Sequence, residues 1–417
     1  MNKNSLFYPA PLIEKAQKNI AQYTWAKDIQ DQIVQDAQPW MRFSDDDLWG
    51  LMFGNTLKRS WMVWSNGHCP VCKTSVPMYN WEIDALTRPW KVRCPHCAEI
   101  FPKNDFYAYY QSGLDEQRVF DGALADRSLL FNVEHPDPSH PAHLFGVDDG
   151  DGFRADDHIW WFVATYLIYG QWKQVVQKGI CKLANAYTVT GDHVYAHKAG
   201  IMLDRVADLY PTFDFKEEGV LYEKPAAAGY VSTWHDACEE VRELILAYDQ
   251  IREVISEDED LATFLQKKSE QHQIGVSKSH PEDVMHNIET RVLGETLVNY
   301  DKIRSNYPRQ EIALIVCHTV LEWPENRDAV MGLIDEMVET ATAVDGVTGE
   351  KGLAGYSSGV IQSLAQFLEL FGRVDPHFLD EMLQRHPKLS QTYRFHIDTM
   401  CLQNYYPRIG DTGGFAQ

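Results

Sequence analysis

Four of the eight cysteines stand in a pattern that holds a metal. Cys69-Pro-Val-Cys72 and Cys94-Pro-His-Cys97 are two Cys-x-x-Cys knuckles about 20 residues apart, the spacing of a tetrahedral four-thiolate zinc site. Four thiolates close the ion completely and leave no position for water or substrate, so zinc here has a structural role. Two disulfides, or a redox pair, are the alternatives for the same residues. Trp81, Pro89 and Trp90, aromatic and turn residues between the knuckles, favour the metal. His68 and His96 adjoin or sit inside the knuckles as bystanders. Cys181, Cys238, Cys317 and Cys401 are scattered through helical patterns, where buried free thiols are expected.

Catalytic chemistry must therefore come from elsewhere. Met285-His286-Asn287-Ile288-Glu289-Thr290-Arg291 opens a helix after Pro281. Residues three and four apart share a helix face, so His286 pairs with Glu289 and Asn287 with Arg291. Such a cluster could grip a carboxylate and orient an imidazole for proton transfer. A second candidate is the segment from Asp345 to Gly359, where five glycines surround Tyr356. Glycine lets a ligand approach the backbone closely and lets a tyrosine project from a turn. A plain interhelical loop is the alternative. Asp148-Asp-Gly-Asp-Gly152 and Asp156-Asp157-His158 supply carboxylates for glycoside hydrolysis, or else form a solvated or cation-binding loop.

The elements that carry these residues read as helices. Apolar positions recur at helical spacing from Leu12 to about Trp64. The metal module follows, and Val133 to Asp157 reads as a long polar loop. His158 to Gln171 is apolar nearly all round, which predicts a buried helix. Further helices are expected over about 175–188, 191–209, 233–255, 258–271, 282–303, 309–322, 325–343, 355–372 and 376–386, with Pro211, Pro281, Pro308 and Pro324 at boundaries. Repeated helix pairs with scarce strand signals suggest a mainly α fold, an (α/α) toroid of antiparallel hairpins carrying a small zinc-ribbon-like insert. The expected layout is toroid helices over 1–65, a zinc module over 66–110, the toroid proper over 111–403, and the start of a linker over 404–417.

Composition narrows the partners. A net charge of −22 without a basic stripe argues against nucleic acid. No apolar run approaches membrane-spanning length, and the first residues lack an apolar leader core, which fits a cytoplasmic protein or one whose leader has been removed. Twelve Trp and 20 Tyr offer flat faces on which sugar rings stack, though most belong to the core.

The chain resembles the helical N-terminal domain of the heparinase II/III-like polysaccharide lyases. The resemblance rests on Leu203-Asp-Arg-Val-Ala-Asp-Leu-Tyr-Pro211, on Trp234 with Ala247-Tyr-Asp249, on His286-Asn-Ile-Glu289, on the Asp345–Tyr356 loop, and on Tyr406-Pro-Arg-Ile-Gly-Asp411. It covers about 190–412 well and the N-terminal third loosely. It implies an (α/α) toroid followed by a C-terminal β domain that this sequence does not contain, with an anionic polysaccharide between them. Glycosaminoglycans and alginate are the substrates of that group, cleaved by β-elimination beside a uronic acid. A neutraliser must bind the uronate carboxylate, a base must take the C5 proton, and an acid must protonate the leaving O4. By resemblance Asn287 neutralises with His286 or Arg291, Tyr356 is acid and, for one epimer, base, and His286 is the other base. Glu289, Arg291, Trp234 and His158 are the substrate-binding candidates. His396 could replace a histidine that the family draws from its C-terminal domain. A toroidal glycoside hydrolase and a non-catalytic carbohydrate-binding domain are the competing functions.

Overall fold

The computed structural model describes residues 4–63, 67–77, 79–221, 224–225, 228–343, 346, 352–402, 405–407 and 409–410. The chain is mainly helical and divides into two compact units. One is Asn19–Arg304; the other joins Met1–Lys18 to Ser305–Gln417. The N-terminal strip thus groups with the last third of the chain. The described strands are short ladders of two or three residues.

In the larger unit, helices Lys178–Thr190, His193–Leu209 and Trp234–Ile255 pack on one another, and Thr24–Met41 packs on the first of them. Gly191 and Asp192 join the first pair. Gly191 takes φ 71°, a left-handed helix end that side chains disfavour, and Asp192 caps the next helix by accepting from the Val194 N–H at 3.0 Å. Every residue from Ala199 to Leu209 is buried, so this helix is the centre of the unit. Its acidic and basic residues therefore need internal partners.

The stretch expected to be one helix from His158 starts differently. Phe153–Ala155 and His158–Trp160 form an antiparallel hairpin, and Asp156 and Asp157 make its turn with φ of 50° and 63°. Two consecutive left-handed residues are the requirement of a tight hairpin turn, which Asp tolerates better than most. The helix begins only at Phe162, and widens into π-type turns over Leu167–Gln177. Asp148 folds the loop before it. Its buried carboxylate accepts from the Gly150, Gly152 and Val163 N–H groups at 2.8, 3.1 and 3.1 Å. Burial pushes that carboxyl up to about 6 against those hydrogen bonds.

In the smaller unit, Arg309–Glu322 packs on Arg327–Ala341, which packs on Ser358–Phe371. Asp335 holds Phe378–Arg385 and the residue after it, accepting from Arg385 and from His386 Nε2 at 2.7 Å. Arg373 lies over the Tyr8 ring at 5.7 Å, which ties the N-terminal strip to this unit. Among the described residues, no helix is long and apolar enough to cross a membrane.

Candidate functional site

The two cysteine knuckles are built alike. Lys73 donates its N–H to Cys69 O and Ala98 donates to Cys94 O, both at 3.0 Å. Cys69 and Cys94 donate in turn to Thr74 O and Glu99 O, at 3.0 and 2.9 Å. Lys73 and Ala98 adopt φ of 58° and 61°, which turns each knuckle back on itself. The four sulfurs lie within 4.8 Å of one another, with Cys69–Cys97 at 3.7 Å and Cys72–Cys94 at 4.0 Å. A tetrahedral ion with metal–sulfur bonds of about 2.3 Å separates its sulfurs by about 3.8 Å, so the cage fits one such ion. His96 Nε2 lies 3.1 Å from Ser75 O, outside the cage, as expected of a bystander.

The chain between the knuckles walls a cleft of about 260 Å³ in the larger unit. Tyr79, Trp81 and Ile83 come from it; Trp61, Thr165 and Tyr169 face them from other segments. Trp61 meets Tyr79 edge-on at 5.3 Å and stacks with Trp234 at 6.2 Å and 6°. Trp234 is 46% exposed and holds φ 57°. A bulky residue in the left-handed region is strained.

Arg59 sets this ledge. It is fully buried and donates from Nε to Val231 O at 3.0 Å and from Nη1 to Asn55 O and Leu57 O at 3.3 Å. Its Nη2 reaches Glu218 Oε2 at 3.2 Å. One guanidinium thus ties the segment before Trp61 to the segment before Trp234. Behind Tyr169, Lys173 Nζ lies 4.6 Å from the phenol ring, 2.7 Å from Asp236 and 3.9 Å from Glu240. Glu240 accepts from Ser232 Oγ at 2.5 Å, and burial pushes its carboxyl up to about 7 despite Lys173. Of these residues the sequence singled out only Trp81 and Trp234. Trp61, Tyr79 and Tyr169 carry no motif; their aromatic type was the one available signal.

The helix-start cluster separates. His286 is exposed, with Thr290 Oγ1 near its ring. Asn287 faces inward and is 2% exposed. Its amide donates to Asp204 Oδ1 at 2.8 Å and Asp208 Oδ1 at 3.1 Å. Lys278 binds the same pair, meeting Asp204 Oδ2 and both Asp208 oxygens, the latter at 2.7 Å. Arg291 donates to Ala207 O and Asp208 O at 3.0 and 2.9 Å, capping the end of the central helix. Asn287 and Arg291 therefore direct these donors to the central helix, where the sequence reading expected them at a substrate carboxylate. Glu289 accepts from Tyr248 at 2.8 Å instead of orienting His286.

His158 is also reassigned. Its ring packs edge-on against His68 at 5.4 Å and Trp160 at 5.9 Å, beside the cysteine module, and it does not line the aromatic cleft. Tyr356 belongs to the smaller unit, His286 to the larger. Tyr356 lies in one π-type turn, Leu353–Ser357, and Gly352 bridges to Gly410, which joins the tyrosine turn to the Tyr406 segment. Asp345, Asp411 and the side chain of His396 fall outside the described residues. Compared with protein-family models, with curated proteins and with solved structures, the chain finds no match in any of the three.

Proposed function

We propose that the chain binds an acidic polysaccharide and cleaves it by β-elimination, as the heparinase II/III-like lyases it resembles do. In this reading the helical pairs close into an (α/α) toroid and one Zn²⁺ staples the cysteine module. The observation that carries it is the Trp61–Trp234 ledge at a cleft walled by Tyr79, Trp81 and Tyr169, the flat amphipathic surface a sugar ring stacks on. His286, exposed at its helix, is the base in this reading. Asn287 positions the helix that presents His286. Neutralising the uronate falls to a group other than Asn287 and Arg291.

Elimination leaves a C4–C5 double bond that absorbs near the ultraviolet edge. Absorbance should rise when the protein meets chondroitin sulfate, heparin or alginate; a flat trace on all three refutes the reading and leaves a carbohydrate-binding domain. Glu240 favours one rival. A buried carboxyl still partly protonated near pH 7, with Asp236 nearby, is what a glycosidase needs as general acid. New reducing ends without absorbance would select that hydrolase. Metal analysis should find about one zinc per chain. Iron in the same cage, or two disulfides, would overturn the zinc assignment.

A further inference from the structure

We infer that the aromatic cleft is a subsite for an uncharged sugar ring, so that the polymer alternates neutral residues with its uronic acids. The inference rests on the saccharide reading and narrows it to a mixed polymer over a pure polyuronate.

Three observations converge on an uncharged, hydroxyl-bearing ring. First, no charged side chain lines the cleft among the described residues; its walls are aromatic, aliphatic, and the polar groups of Thr165, Tyr169 and Gln174. Gln174 is already used at both ends, donating to Ile83 O and accepting from the Ala85 N–H, each at 2.9 Å. A carboxylate or sulfate seated there would lose its water and gain no cation.

Second, the charged groups behind Tyr169 offer an anion no net positive charge. Lys173 is paired with Asp236 at 2.7 Å, and Glu240 lies beyond it at 3.9 Å. That trio sums to zero with Glu240 protonated and to one negative charge with it ionised.

Third, the walls hold polar atoms with no partner. Thr165 Oγ1 and Trp81 Nε1 are shielded from water and hydrogen-bonded to nothing described, and Tyr169 OH has only the neighbouring Tyr79 phenol. Leaving such groups unpaired costs about 1–3 kcal/mol each. A ring carrying hydroxyls, once the aromatic walls shift to admit it, supplies both the donors and the acceptors these atoms need. A hydrocarbon ring would leave them unpaired. The aromatic faces then stack on the ring's C–H surface.

The test uses the full chain and tryptophan fluorescence, titrating a neutral N-acetylhexosamine disaccharide against a diuronate of the same length. The neutral sugar should quench and bind about tenfold or more tightly than the diuronate, which is about 1.4 kcal/mol. Thr165→Val and Tyr169→Phe should each weaken it about threefold to tenfold while circular dichroism stays unchanged. Equal or tighter binding of the diuronate overturns the inference, as does neutral-sugar binding that neither variant touches. The two readings fail separately. Ultraviolet product from alginate with no neutral-sugar binding sinks the subsite and keeps the lyase; neutral-sugar binding with no unsaturated product from any polymer does the reverse.

Discussion

Replacing Lys278 by Met tests whether Asn287 belongs to a buried charge net or to a substrate site. Lys278 is 1% exposed and is the shared cation of Asp204 and Asp208, with Arg205 Nη1 farther off at 3.9 Å from Asp208. Removing one partner of a buried pair costs about 3–5 kcal/mol, because the stranded charge keeps its desolvation penalty. The pH dependence is more diagnostic than the size. Burial holds the Asp204 carboxyl up at about 6 even with Lys278 present. A folded-state value above the unfolded one of about 3.9 means that stability falls as pH rises from about 4 to 6, then levels off. Without the ammonium, two carboxylates share one apolar site, and one of them must stay protonated to well above pH 6. Each further pH unit then costs about 1.4 kcal/mol. The stability gap between Lys278→Met and the parent should accordingly widen by about 3 kcal/mol between pH 6 and 8. Urea titrations followed by tryptophan fluorescence at pH 5, 6, 7 and 8 would measure it. A gap that ignores pH, or one below about 1 kcal/mol, would show that Asp204 and Asp208 are not a desolvated pair, and would return Asn287 to the list of ligand-facing groups.

Other perturbations address the cage and the ledge. Cys94→Ser should lose the bound metal and, with it, soluble folded protein, since a thiolate cage contributes its binding free energy to folding; retention of full metal content refutes the four-cysteine assignment. Arg59→Lys cannot reproduce contacts to four residues in three segments from one rigid fork, and should lower stability by about 2–4 kcal/mol while weakening saccharide quenching. An unchanged melting temperature would contradict its part in holding the ledge. Trp234→Gly should leave stability within about 1 kcal/mol, because glycine accepts φ 57° freely and offsets the lost stacking, yet reduce sugar binding severalfold. Loss of stability without loss of binding would make Trp234 a packing residue.

What was legible in the sequence was what local pattern controls. The knuckles follow from cysteine spacing, and the helix Arg309–Glu322 lies where its apolar periodicity and flanking prolines put it. The misreadings come from tertiary choice. Helical spacing put Asn287 and Arg291 on one face but gave no sign that this face turns inward, because polar residues suggest solvent until Asp204, Asp208 and Lys278 are seen around them. His158 looked helical because the stretch that follows it is apolar nearly all round; the two aspartates before it are a hairpin turn, and aspartates serve loops of many kinds. The cleft was hidden for another reason. Its walls come from residues about 60, 80 and 165 along the chain, and Arg59, which ties the first of those segments to the one before Trp234, lies in no motif at all.

The most direct trial of the whole account is the mass of the oligosaccharides released from a glycosaminoglycan by the purified chain. Elimination gives each new non-reducing end a mass lighter by one water than hydrolysis would, and the account predicts those lighter fragments, diminished in the Trp234→Gly variant. Fragments carrying the added water, or intact polymer after prolonged incubation, would contradict it.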